Sequence, residues 1–136
     1  MVASADFSDF LRDQLSPLGP LTLRRMFGKT GVFCEGVMLG MVAENTLYFR
    51  LDAHNRDRFK EALALPMLNY EKQGSKIDLS FCRVPDRLMD DRQELLAWAA
   101  TALAAAHRAA AHRVTAHRLT AKRSLVKTIG PRGLNK

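Results

Sequence analysis

Three histidines recur at intervals of five, His107, His112 and His117, and each is followed by an arginine. Imidazole is the commonest metal ligand, so such a set is the first place to look for metal chemistry. The spacing argues against it. On an α-helix five residues advance the azimuth by a net ~140°, and side chains share a face only at separations of three or four. The three rings therefore spiral around the axis and cannot close on one ion. The adjacent carboxylates Asp90 and Asp91 precede a helical pattern, where the positive end of the helix favours acids. Capping explains them better than acid–base catalysis. Cys34 and Cys82 each lie in an apolar alternating segment and belong to no CxxC pair, which reads as two buried free thiols. His54, at the start of another helical pattern, has no Ser or Cys at a spacing that would make a nucleophile–base pair. Phosphate-binding GxxxxGK[ST], dinucleotide-binding GxGxxG, HExxH and GxSxG patterns are absent. The residues name no catalytic group, no cofactor and no metal, and the chain is expected not to be an enzyme.

What the side chains do supply is positive charge, unevenly placed. The chain has 136 residues and a formal net charge of +7. The last thirty residues hold eight of its 21 Lys and Arg and no Asp or Glu. These are Arg108, Arg113, Arg118, Lys122, Arg123, Lys127, Arg132 and Lys136. The first 106 residues are close to neutral, so the whole excess sits in one terminal segment, the pattern of a globular domain with a basic arm. Basic arms meet polyanions. Because the Ala-His-Arg repeat spirals, its cations suit phosphates on several sides better than base edges on one. Arg108, Arg113, Arg118, Lys122, Arg123 and Lys127 are accordingly the expected nucleic-acid-binding residues, with DNA held non-specifically through its phosphates. No aromatic residue is interleaved with them, so base stacking has no support. The competing reading is a solvated basic helix with no partner. A second group of cations, Arg24, Arg25, Lys29, Lys72 and Lys76, falls on a strand and on neighbouring loops and forms a candidate anion or partner site. Arg25 shares the alternation of Leu21, Leu23 and Phe27, so it must find a partner or lie at a sheet margin.

The elements that must position these groups follow from periodicity. Ser4 can cap a helix running to about Leu15, with Phe7, Phe10, Leu11 and Leu15 on one stripe. Residues 21–51 read as a β-meander. The turns fall at Gly28–Gly31, Glu35-Gly36 and Glu44-Asn45. Val37, Leu39, Met41 and Ala43 share one strand face, and Leu47, Phe49 and Leu51 share another opposite Tyr48 and Arg50. Asp52 caps a helix over about Ala53–Leu63. A polar loop, Glu71–Ser75, leads to a fifth strand with Ile77, Leu79 and Phe81 on one face. From about Asp90 a helix carries Leu95, Trp98, Ala99, Ala102, Leu103 and Ala106 towards the sheet. It then passes into the Ala-rich basic extension, residues 107–136, expected to be helical at first and loose after Pro131. The division is thus a folded domain, 1–106, and an extension, 107–136. The first residues lack the basic start and apolar run of a signal peptide, and no run of about 18 apolar residues exists to span a membrane. A cytoplasmic protein of bacterial type is expected.

Several ordered segments resemble the N-terminal domain of the TfoX/Sxy family. They are Arg24-Arg25-Met26-Phe27-Gly28, Gly36-Val37-Met38-Leu39-Gly40-Met41-Val42 and Leu47-Tyr48-Phe49-Arg50-Leu51-Asp52. Tyr70 with Lys72-Gln73-Gly74 follows, then Arg83-Val84-Pro85 ahead of Leu95-Leu96-Ala97-Trp98-Ala99. The resemblance covers roughly residues 6–106. It implies an α+β, two-layer fold like that of secretion chaperones, with an antiparallel five-stranded sheet covered by helices and a long C-terminal helix. It also implies a role in regulating competence and transcription, and it carries no catalytic residues. The second domain of full-length members has no counterpart in these 136 residues, beyond a faint likeness of Ile129–Gly133 to its opening. Two functions are set against each other. One is a non-enzymatic regulator that contacts a transcription factor or polymerase and uses its tail on DNA. The other is a protein–protein adaptor or homodimeric module with no nucleic-acid role. Neither involves a membrane.

Overall fold

The computed structural model of the chain describes residues 4–63, 65 and 67–133, with side chains described except at 63, 70–72, 76–78 and 114–133. Helix α1, Ala5–Gln14, begins where Ser4 Oγ accepts the Phe7 N–H at 3.2 Å. Strands β1 (Thr22–Met26), β2 (Lys29–Cys34), β3 (Val37–Ala43) and β4 (Thr46–Arg50) follow as an antiparallel meander, and β7 (Phe81–Arg83) joins β4. The order across the sheet is β1-β2-β3-β4-β7. The fold is α+β, as expected. Each hairpin of the meander closes through two residues, Phe27-Gly28, Glu35-Gly36 and Glu44-Asn45, all with positive φ. That is the pattern of a type I′ turn, whose twist matches the strands it joins.

One face of the sheet meets the helices. Val32, Cys34, Leu39, Val42, Leu47, Phe49 and Cys82 pack there with Leu11 and Leu15 of α1 and with Phe59 and Ala62. The stripe Leu95, Trp98, Ala99, Ala102, Leu103 and Ala106 of α3 (Arg92–Gly133) completes this core. Phe59 stacks on Trp98 with ring centroids 4.6 Å apart, a contact that adds about 0.5–1.5 kcal/mol to the area both rings bury. The opposite face carries a smaller cluster, Met41, Leu68 and Phe81, flanked by Met26, Met38, Ala43, Tyr48 and Leu79. The chain divides into two units, Met1–Ala106 and His107–Lys136; in the second, the backbone is helical to Gly133.

Five local expectations are corrected. Met41 and Ala43 do not share a face with Val37 and Leu39. Val32 pairs with Gly40 while Phe33 pairs with Met38, so Leu39 is the extra residue of a β-bulge. Beyond it every side chain changes face, and Val42 takes the place on the helix side. The first turn is Phe27-Gly28 rather than Gly28–Gly31, because Gly31 belongs to β2. A Cβ there would meet Met26 Sδ at 2.7 Å and Phe33 Cε1 at 2.8 Å. The loop Glu71–Ser75 is the tip of a hairpin, β5 (Asn69–Lys72) with β6 (Ser75–Asp78), and its Gln73-Gly74 turn also has positive φ. The fifth strand is consequently split, with Ile77 in β6 and Phe81 in β7. Residues 53–63 are only partly α-helical. Asp52 Oδ1 accepts the N–H groups of His54 and Asn55, which holds a turn, and a 3₁₀ turn Arg56–Phe59 precedes α2 (Lys60–Leu63). Helix α3 starts at Arg92, preceded by a 3₁₀ turn Asp86–Asp90, and Asp91 caps it through the Glu94 N–H at 3.1 Å.

Candidate partner-binding surface

The β1–β2 hairpin holds the first three cations of the predicted anion or partner site. Arg24 lies opposite Gly31, Arg25 opposite Thr30, and Lys29 opposite Met26, all on one hairpin. Arg24 is exposed on the Met26 side of the sheet, its guanidinium carbon 5.3 Å from the centre of the Phe33 ring. Arg25, on the Leu23 side, is also exposed. Its inward alternation is tolerated because β1 is the sheet margin, so no charge is buried. Lys29 is half-buried and, with Gly28, lines a cleft of about 320 Å³ shared with Ala43, Glu44, Tyr48, Met67, Leu68 and Asn69. The side chains of Lys72 and Lys76 lie outside the described residues, though their backbones pair within β5–β6.

Phe27 departs from its expected place. Its φ is 54° in the turn after β1, and its side chain is 86% exposed rather than on the core face. It is the one large apolar side chain so placed among the described residues. A left-handed backbone costs a non-glycine residue, and an exposed ring forgoes burial. Sequence reading missed it because Leu21-x-Leu23-x-Arg25-x-Phe27 keeps its period of two into the turn.

The two edges of the sheet differ. At β7 the Phe81 carbonyl accepts the Leu68 N–H at 3.1 Å, and the Leu68 carbonyl accepts from Leu79 at 2.7 Å. Residue 68 thus occupies part of that margin. At β1 three of five residues are exposed, whereas β2, β3, β4 and β7 expose none. An uncovered edge offers unpaired N–H and C=O groups to another chain.

A family model described as the TfoX N-terminal domain matches residues 13–106. The chain belongs to the TfoX N-terminal domain family. The matched span contains the whole sheet and the packed stripe of α3 and stops where the basic segment begins. Comparison with curated proteins finds no match. Family membership supports a regulatory protein of TfoX type.

Beyond Ala106 the described side chains of this TfoX-type chain include His107, Arg108, His112 and Arg113, all exposed except the half-buried Arg108. Arg118, Lys122, Arg123 and Lys127 have side chains outside the described residues. Among the described residues no group of three or more His, Cys, Asp or Glu gathers to hold a metal, and no helix is long and apolar enough to cross a membrane. The thiols are inert in character. Burial raises the Cys82 pKa to about 11. Burial, with the nearby Glu35 charge, raises that of Cys34. The strongest polar constellation is one that sequence reading did not find. Arg87 donates to Glu61 from Nε at 2.9 Å and from Nη2 at 2.6 Å, and to Glu94 from Nη1 and Nη2, both at 2.8 Å. It fastens the 3₁₀ turn before α3 to α2 and to α3 itself. These bonds hold both carboxyls below their usual pKa. All four of these hydrogen bonds join neighbouring elements, so the cluster is a structural clip. The 26-residue separation of Arg87 from Glu61 gave no sequence signal.

Proposed function

We propose that this TfoX-type protein is a non-enzymatic regulator. Its folded unit, residues 1–106, acts through protein contacts, and its basic segment adds affinity for the phosphates of DNA. The family match carries the regulatory part. The charge distribution carries the DNA part, since eight cations with no acid among them make a local field that the near-neutral remainder lacks. Contacts of this kind position a protein without reading bases, so the regulatory choice of gene belongs to the protein partner, a transcription factor or polymerase. A cytoplasmic setting suits that role. The test is duplex binding by the full chain and by a full-length variant in which the eight tail cations are replaced by glutamine. Loss of binding on replacement, indifferent to duplex sequence, is the expected result; undiminished binding would refute the DNA part.

A further inference from the structure

We infer that the open edge of β1 is a docking site for an acidic, extended segment of another protein, which adds to the sheet as a sixth strand. This rests on the protein-contact part of the reading above and names where and with what chemistry that contact is made.

Alternate residues of Thr22–Met26 turn their N–H and C=O groups away from β2, and no further strand pairs with β1 among the described residues. Another peptide backbone matches that row; a phosphate chain, which has no donors, matches only half of it. The side chains decide which peptide. Neighbours on a strand point to opposite faces, so Arg24 and Arg25 place one cation on each side of the edge. Neither makes an ion pair among the described residues. An added strand therefore meets cations at two consecutive positions and is favoured when both carry Asp or Glu. Phe27 stands two positions beyond Arg25 at the end of the same edge, 86% exposed. It fits an apolar residue two or three positions along from the acidic pair.

The same charges exclude the occupants that this chain could itself provide. A second copy pairing antiparallel about the middle of β1 would set Arg24 or Arg25 against an arginine of the other copy, and like charges opposite one another destabilise a ladder. The basic segment after Ala106 has no acidic residue and would be repelled. At the other margin of the sheet the outward Phe81 carbonyl is already taken by Leu68.

The experiment is selection from a displayed library of random twelve-residue peptides by the full-length chain and by a full-length R24E/R25E variant, followed by affinity measurement with the recovered peptides. Both arginines are exposed, so the variant should keep its circular dichroism and thermal midpoint. The wild-type chain should enrich peptides with adjacent acidic residues and a nearby apolar one. R24E/R25E should bind them about tenfold or more weakly and should itself enrich basic peptides. Phe27→Ser should weaken binding about fivefold without changing the charge preference. Amide exchange should slow at alternate residues of β1 and not at β7 when a selected peptide is added. Enrichment without acidic bias, or equal binding by R24E/R25E, would overturn the proposal. So would protection confined to another surface, displacement of the peptide by duplex DNA from the chain whose tail is neutralised, or self-association that R24E/R25E abolishes. A peptide that binds elsewhere on the folded unit would sink the edge while leaving protein contact standing. No enrichment at all would sink both.

Discussion

Phe27 occupies a backbone position that asparagine would fill better. With φ at 54° before Gly28 at 74°, the turn asks for Asn-Gly or Asp-Gly. Phe27→Asn should therefore raise stability by about 0.5–1 kcal/mol in urea denaturation, while losing affinity for the edge ligand. A stabilising change that costs binding is what a residue kept for contact predicts; no gain in stability would count against the strain described here. Gly40 makes the opposite case. A Cβ there would sit 2.5 Å from the Tyr48 carbonyl oxygen, a backbone atom that cannot swing aside. Gly40→Ala should cost about 1–3 kcal/mol, read by the same denaturation. The thiols give a pH signature. The unfolded chain ionises its cysteines near 9.0, and burial raises Cys82 to about 11. The unfolded state thus loses the proton first. The stability that the buried neutral thiol contributes is fully present below pH 9 and is lost as pH rises towards about 11. Thermal midpoints from pH 8 to 11 should fall over that window, and Cys82→Ala should flatten the fall.

At the scale of elements, what was legible in the sequence depended on whether a local signal marked the change of direction. Glu35-Gly36 and Glu44-Asn45 were readable because small or amide residues stand where φ must be positive. The Leu47, Phe49, Leu51 face and the α3 stripe were readable because periodicity persists through the element. The bulge at Leu39 was not, because the run Val37–Ala43 is apolar on both sides of it and the reversal leaves no polar residue out of place. The β5–β6 hairpin was hidden for the converse reason, since polar residues at its tip imitate a loop. Of the candidate site, the residue types at Arg24 and Arg25 were evident; that they mark a sheet margin required the strand order. Arg87 lay outside any local pattern because its partners come from two separate elements. The clip it forms predicts an acid-sensitive fold. Glu61 and Glu94 have lowered pKa values in the folded chain, so their contribution is present above the ordinary carboxylate pKa and is lost as pH falls below it. Arg87→Gln should lower the thermal midpoint at pH 7 and leave a shallower decline towards pH 3. An unchanged midpoint would show that the clip is dispensable.

The whole molecule combines a near-neutral TfoX-type unit with a cationic segment, and the function proposed above gives the two separate duties. The folded unit buries its main core on the helix side of the sheet and, among the described residues, leaves the β1 edge without a further strand. The five-residue spacing of the sequence after Ala106 would spread its charge around a helix instead of ranking it on one face, which suits phosphates and not base edges. Under that proposal, protein recognition should be insensitive to the tail and DNA affinity insensitive to the edge. The charge-neutralised tail variant should keep its peptide preference, and R24E/R25E should keep most of its duplex binding. The salt dependence of duplex binding by the full chain, measured from about 50 to 200 mM, tests the DNA part of the proposed function most directly. If all eight tail cations neutralise phosphates, log K falls against log[salt] with a slope approaching about −7, and glutamine at those eight positions removes most of that slope. A slope near zero, or the same slope with and without the tail charges, would contradict it.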